Sequence, residues 1–202
     1  MTPANPAGGL AGYVADLPTP FGGDGELDLD EFAALCERQI DCGATAIVVG
    51  ETAGEASTLT DIEKHCLVHC AVETVQGRAH VIAGAGSNST DRALELTRSA
   101  ERSRADAVLS VVPYYNKPAQ EGIRAHFCAI AAATALPVIL HDIPARTVRE
   151  LSDATLLRLA EAANFAGLLD GAGDIARHLR LRSRLPPHFR WLTGNDEVTC
   201  TW

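Results

Sequence analysis

Short apolar segments alternate with longer amphipathic segments at intervals of about 30 residues, the length of one strand–helix crossover. The chain holds seven such units. The apolar segments are almost continuously hydrophobic, which predicts a parallel sheet that is covered on both faces. The predicted strands are Tyr13–Leu17, Ala46–Val49, His80–Ala83, Ala107–Val112, Val138–His141, Ala166–Leu169 and Arg190–Thr193.

Helices are predicted between the strands from one-sided apolar stripes and from capping signals. They cover Leu29–Cys42, 60–75, Asp91–Arg102, Glu121–Ala133, Asp153–Ala163, Asp174–Arg184 and Glu197–Trp202. The even repeat, and the lack of a glycine-rich dinucleotide fingerprint after the first strand, favour a barrel over a doubly wound sheet. Because 202 residues fall short of the roughly 250 typical of a closed barrel, we predict a single domain over 1–202. Its α/β fold is an incomplete (β/α)8 TIM barrel of about seven units.

Composition excludes several classes of protein. The formal net charge is −9 and no basic patch is evident, so nucleic acid is not an expected partner. No apolar run approaches the roughly 20 residues of a membrane helix, and the first residues do not resemble a signal peptide. We therefore expect a cytoplasmic protein whose six cysteines are reduced.

In a barrel of this kind the chemistry lies at the carboxyl ends of the strands. The segments that follow the predicted strands are therefore the candidate site. They are 18–21, 50–55, 84–88, 113–118, 141–147, 169–171 and 194–196.

Four of these segments resemble motifs of the dihydrodipicolinate synthase / N-acetylneuraminate lyase family of pyruvate-dependent aldolases. Thr52-Ala53-Gly54-Glu55 is similar to the family's Thr-Thr-Gly-Glu, and Ala83-Gly84-Ala85-Gly86 to its third-strand glycines. Pro113-Tyr114-Tyr115-Asn116 is close to a signature. Pro144-Ala145-Arg146-Thr147 resembles the synthase branch. The resemblance runs from Gly12 to Trp202.

The resemblance implies an aldol condensation or cleavage of the 4-hydroxy-tetrahydrodipicolinate synthase type, linked to lysine biosynthesis. Its substrates are the keto acid pyruvate and an aldehyde, it needs no cofactor, and the protein is a homo-oligomer. Thr52 falls on a proton-relay threonine, and Tyr115, with Tyr114 beside it, on a relay tyrosine that reaches across a dimer interface. The backbone N–H of Ala53 and the side chain of Arg146 fall on carboxylate-binding positions.

Two positions depart from the family pattern. His141 stands where a relay tyrosine is expected, and Leu169 where a lysine forms a Schiff base with pyruvate. An imine requires a primary amine, and the only lysines are Lys64 on the second helix and Lys117 in the fourth loop. We therefore expect imine formation to be lost.

Two other functions stay open at the sequence level. One is a non-catalytic or regulatory protein that binds keto acids through Thr52, Tyr115 and Arg146. The other is metal-assisted lyase chemistry that uses His141 and nearby acids, against which stands the ordinary role of such acids in capping and loop structure. The acids are Glu51, Glu55, Asp142, Asp170 and Asp196.

The incomplete barrel has a structural consequence. The family continues with an eighth strand and further helices, and without them strands 1 and 7 have unpaired edges. We expect these residues alone to be poorly soluble or to need a partner that covers the edges.

Overall fold

Seven parallel strands follow one another in chain order across a single sheet in the computed structural model, which describes residues 10–195 of the chain. Each strand pairs in parallel with the next one. The strands are β1 (Val14–Asp16), β2 (Ala46–Val49), β3 (His80–Gly84), β4 (Ala107–Val111), β5 (Val138–Asp142), β6 (Phe165–Asp170) and β7 (Arg190–Thr193).

Helices connect the strands, and most of them begin at a side-chain cap. Asp28, Thr60, Ser89 and Ser152 each accept a hydrogen bond from the backbone of the first turn, and Thr60 forms a complete capping box with Glu63. The helices are α1 (Leu29–Asp41), α2 (Asp61–Val75), α3 (Thr90–Arg102), α4 (Gln120–Ala132), α5 (Pro144–Thr147), α6 (Asp153–Ala160) and α7 (Ile175–Leu181).

Alternation along the strands divides the core into two layers. The outward-facing side chains, such as Ile47, Val108 and Leu140, pack against the helices. The inward-facing set forms a second, smaller cluster on the other side of the sheet. It contains Ala46, Val48, Ile82, Ala107, Leu109, Ile139 and Ala166. Because side chains from β2 to β6 meet in this cluster, the sheet is curled into most of a barrel.

The barrel remains open between β1 and β7. Within residues 10–195 each of these strands has a neighbour on one side only, as predicted. A cavity of about 1280 Å³ lies between them, lined by residues of both strands, including Asp16 and Trp191. That the isolated chain is poorly soluble, or needs a partner to cover these edges, stays a prediction.

The structure corrects several predicted boundaries. The short helix α5 was not predicted, because four residues are too few to show a periodic pattern. Helix α6 ends at Ala160 rather than Ala163, since Asn164 turns inward and donates to the carbonyls of Ala131 and Thr134. Helix α7 covers Ile175–Leu181 rather than 174–184. The predicted helix Glu197–Trp202 lies outside the described residues.

The described residues also bear on two expectations from composition. None of the helices within residues 10–195 is long and apolar enough to cross a membrane. All five cysteines in this part of the chain are free thiols, and the sixth, Cys200, lies outside it.

Candidate active site

The carboxyl ends of β1, β5 and β6 present Asp16, His141 and Leu169 to the inside of the barrel. Their direction follows from alternation, since Val14 and Ile139 on the same strands belong to the inward cluster. The register between β5 and β6 shifts by one residue between Val138 and Ile139. Beyond this shift, His141 is paired with Leu169. The inner end of the barrel thus combines an acid, an imidazole and an apolar side chain.

His141 forms a buried pair with Glu51. Its Nδ1 lies 2.9 Å from Glu51 Oε1, and the two side chains are 4% and 6% exposed. The Thr52 hydroxyl donates to the other carboxylate oxygen of Glu51 at 3.3 Å. Two of the predicted site residues are therefore brought together by Glu51, for which the sequence predicted only a metal-binding or structural role.

Asp16 lies beside this pair and lines the open cavity. Its pKa is raised to about 6, first by partial loss of hydration and then by the negative charge of Glu51, while the Ala53 backbone N–H and His141 act in the opposite direction. Lys64, at the start of α2, is half-buried, and desolvation lowers its pKa although Glu51 opposes the shift. Asp16 carries no motif, so no sequence signal distinguished it.

Close backbone contacts fix the position of the loop that follows β2. A Cβ atom added to Gly84 would lie 2.2 Å from the carbonyl oxygen of Gly50, so only glycine permits this approach. Thr19 at the end of β1 donates from its hydroxyl to the Gly54 carbonyl at 2.7 Å. Together these contacts fix Thr52 and the exposed Ala53 at the carboxyl ends of the strands.

The tyrosines of the fourth loop lie outside the buried pair. Tyr115 is 87% exposed and has a positive φ of 69°, an uncommon conformation for a residue with a large side chain. Neither its hydroxyl nor that of Tyr114 forms a hydrogen bond with residues 10–195. Within one chain, the structure therefore does not bring Tyr115 into contact with Glu51 and His141.

Arg146 lies in the short helix α5, directly after β5. Its side chain is exposed, and it forms no ion pair with the part of the chain that the structure describes. The guanidinium is consequently available for an anion, with five donors in a planar fork that suits a carboxylate. The alternative of a structural ion-pair partner has no support among these residues.

The other acids near the strand ends do not form a metal site. Asp142 and Asp170 face outward, where Arg177 of α7 lies 2.7 Å and 3.9 Å from them. Burial raises the pKa of Asp142, against which the charge of Arg177 acts. Across residues 10–195 no group of three or more histidine, cysteine or acidic side chains is arranged to hold a metal ion, and Asp196 lies beyond them. The role of Arg177 was missed because the pattern of α7 marks it only as a surface cation.

Comparison with known proteins agrees with this architecture. A sequence model of the family described as "Dihydrodipicolinate synthetase family" matches residues 9–201. The chain belongs to this family. The 4-hydroxy-tetrahydrodipicolinate synthase of Dechloromonas aromatica is 47% identical over 188 residues, which are 93% of this chain and 64% of that protein. The enzyme of the same name from Gluconobacter oxydans is 46% identical over 92% of this chain and 62% of its own length.

Solved structures of the dihydrodipicolinate synthetase family give the same result. A Bacillus anthracis dihydrodipicolinate synthase superimposes with a TM-score of 0.92 at 41% identity, over 94% of this chain and 65% of that one. The Acinetobacter baumannii enzyme, solved with pyruvate, gives 0.90 at 41% identity, over 93% and 64%. The chain thus spans slightly less than two thirds of these relatives, and its fold is an incomplete TIM barrel.

Proposed function

We propose that this chain binds pyruvate or a similar short 2-oxo acid at the carboxyl ends of its strands, as a protein of the 4-hydroxy-tetrahydrodipicolinate synthase type, without forming an imine. The observation that carries the proposal is Leu169. It occupies the inward position of β6 next to His141, and it has no amine.

Neither lysine of the chain replaces the missing amine in this proposal. Lys64 lies near the start of α2, where its side chain borders the crevice between α2, α3 and β3. Lys117 is exposed in the fourth loop and has a φ of 48°. A covalent site holds its nucleophile within fractions of an ångström, and neither lysine lines the cavity that Leu169 borders.

Binding of the substrate carboxylate rests on three groups. Arg146 offers an exposed guanidinium without an ion pair among the described residues. Thr52 and Ala53 lie on a loop that is fixed by glycine contacts, and the Thr52 hydroxyl and Ala53 N–H, which contact Glu51 and Asp16 in the unliganded chain, are shared with the substrate carboxylate in this proposal. Charge-assisted hydrogen bonds of this kind are about twice as strong as neutral ones. The site therefore retains an anion-binding role even where covalent catalysis is absent.

Borohydride trapping tests the absence of an imine. The chain incubated with pyruvate and borohydride is expected to keep its mass, whereas the Leu169→Lys, His141→Tyr double variant is expected to gain a reduced pyruvyl group. Intact-mass spectrometry measures both. A pyruvyl adduct on the unsubstituted chain would overturn the proposal.

Calorimetry tests the binding site. Arg146→Ala is expected to weaken pyruvate binding by about 1.5–3 kcal/mol, the contribution of a hydrogen bond to a charged group. Arg149→Ala removes a neighbouring exposed arginine and serves as the control with the same change in net charge. No heat of binding with the unsubstituted chain, or an equal loss in both variants, contradicts the proposed site.

The proposal includes a homo-oligomer. It is supported by Tyr115, which is the most exposed large hydrophobic side chain in the described residues and is held in a strained backbone conformation. In the family this position reaches the site of a neighbouring subunit. Light scattering after size exclusion is expected to show a dimer or tetramer of the full-length protein, and Tyr115→Ala to weaken it. A monomer that does not change with concentration would exclude this part.

A further inference from the structure

Glu51 and His141 form a buried pair of ionisable side chains inside the barrel. The two side chains are buried there to 6% and 4% exposure and joined at 2.9 Å, and the inward-facing cluster next to them along the strands is apolar. Burying such a pair seldom stabilises a fold more than apolar side chains of the same size would. In a barrel of parallel strands, polar groups at the carboxyl ends of the strands are instead typical of the active site.

The hydrogen bond to Glu51 fixes the orientation of the imidazole. A carboxylate only accepts hydrogen bonds, so Nδ1 is assigned as the donor and Nε2 carries the lone pair. Nε2 makes no hydrogen bond with residues 10–195. Although it has no such partner, this nitrogen is not completely buried, so solvent reaches it. This is the arrangement in which a carboxylate orients a histidine that acts as a base through its other nitrogen.

We propose that His141 is a general base that removes a proton from the carbon next to the carbonyl group of a noncovalently bound 2-oxo acid. Glu51 is the positioning residue that holds the imidazole in the required tautomer. The inference rests on the proposed function, because it requires the 2-oxo acid to bind at this end of the barrel.

The step balances without a metal or an amine. With pyruvate, His141 Nε2 takes a proton from the methyl carbon, and the electrons of that C–H bond form the C=C bond. The π electrons of the carbonyl move to its oxygen, which takes a proton from the Asp16 carboxyl group. The product is an enol beside an imidazolium and a carboxylate, and solvent exchanges both protons before the step reverses.

Asp16 suits the acid role because it faces the same interior from β1 and keeps contact with solvent through the open cavity. Its pKa of about 6 leaves part of the population protonated near neutral pH. Within residues 10–195, Asp16 on β1 and Lys64 on α2 are the charged groups that interact electrostatically with the pair, while β6 contributes the uncharged Leu169. The interior is therefore acidic, and a protonated Asp16 also lessens its repulsion of an anionic substrate.

Proton exchange into pyruvate tests the inference. The chain is incubated with pyruvate in D2O, and the loss of the methyl signal is followed by proton NMR. We expect exchange above the buffer rate, and a fall of roughly 10²–10⁴-fold in His141→Asn, the usual contribution of a general base. His69→Asn is the control, because that histidine is exposed on α2 and its ring only stacks on His65.

Two further variants separate positioning from folding. Glu51→Gln keeps a hydrogen-bonding side chain but removes the charge, and it is expected to lower exchange and to shift its pH profile, while Glu51→Asp restores part of the rate. Circular dichroism confirms that each variant is folded, and if His141→Asn is not, His141→Gln takes its place.

The outcomes distinguish this inference from the function on which it rests. If calorimetry shows pyruvate binding but exchange equals the buffer rate, or if exchange is the same in His141→Asn, His141 is not the base and the binding function stands. If pyruvate does not bind, both fail. Borohydride trapping on the same samples shows whether an imine carries the exchange, and a pyruvyl adduct would overturn the noncovalent step.

Discussion

His141 and Asp142 are consecutive residues of β5, both almost completely buried, yet they lie in opposite chemical environments. Asp142 faces the helices, where its two carboxylate oxygens share one bifurcated hydrogen bond from the Leu151 backbone N–H, at 3.1 Å each, and one oxygen accepts from Arg177 at 2.7 Å. His141 faces the interior, where only one ring nitrogen is bonded, to Glu51. The outward group is fully satisfied by the chain and serves stability, whereas the inward group keeps a free nitrogen for a ligand.

The largest expected effect is a loss of stability when Arg177, on the outward side of β5, is replaced. Arg177 also donates to the Leu151 carbonyl and lies over the ring of Trp191. Arg177→Leu leaves Asp142 buried without its counter-ion, and we expect a loss of about 3–5 kcal/mol in the free energy of unfolding. Urea unfolding measures it.

The matched control for Arg177 is Arg180→Leu on the same helix. Arg180 is 53% exposed and pairs with Asp153 and Asp174 at 3.3 Å and 3.6 Å, so we expect a loss below about 1 kcal/mol. Equal losses in the two variants would remove the distinction between a structural outward cluster and an ordinary surface ion pair.

An intermediate effect is expected where the inner site is shaped by backbone packing. Gly84→Ala forces its new methyl group against the Gly50 carbonyl, and we expect a loss of about 1–3 kcal/mol in unfolding free energy together with weaker pyruvate binding. Gly23→Ala, which meets no atom within 4 Å, is the control. Unchanged binding in a destabilised Gly84→Ala variant would show that this contact does not shape the site.

The smallest expected effect is the pH-dependent contribution of Asp16 to the free energy of unfolding. Its pKa rises from 3.8 to about 6 on folding, so the folded state binds the proton more tightly. The associated stability is fully present below pH 3.8 and is lost as the pH rises through 6. Relative to Asp16→Asn, the unsubstituted chain is expected to lose stability over this interval, by less than about 1 kcal/mol because the side chain contacts solvent.

Thermal and urea unfolding at pH 4 to 7 measure the effect of Asp16. Asp41→Asn, at the exposed last residue of α1, is measured in parallel as a second variant that loses one carboxyl group. A stability difference for Asp16→Asn that does not depend on pH would mean that the folded environment does not alter this carboxyl group.

Local sequence patterns were sufficient to predict the order and positions of the strands. All seven strands were predicted, with Ala46–Val49 and Arg190–Thr193 at their observed ends, because buried parallel strands leave continuous apolar runs between capped helices. The open edge was predictable from length and family resemblance. A predicted helix boundary was wrong where a tertiary contact ends the helix, as the hydrogen bond of Asn164 does after α6.

The site was less predictable, because its central contact joins residues 90 positions apart. The motif around Thr52 and the position of His141 were visible in the sequence, but their connection through Glu51 depends on the curl of the sheet. Arg177 resembles any basic residue of a helix, and only the packing of α7 against β5 and β6 buries it.

The gap between β1 and β7 affects more than the closure of the barrel. Asp16 is the last residue of β1, the strand that borders the gap. A polypeptide segment that pairs with the free edge of β1 would displace the water that now reaches this carboxyl group, and its proton affinity would rise further. The completeness of the barrel wall would then determine the pH range over which Asp16 can donate a proton.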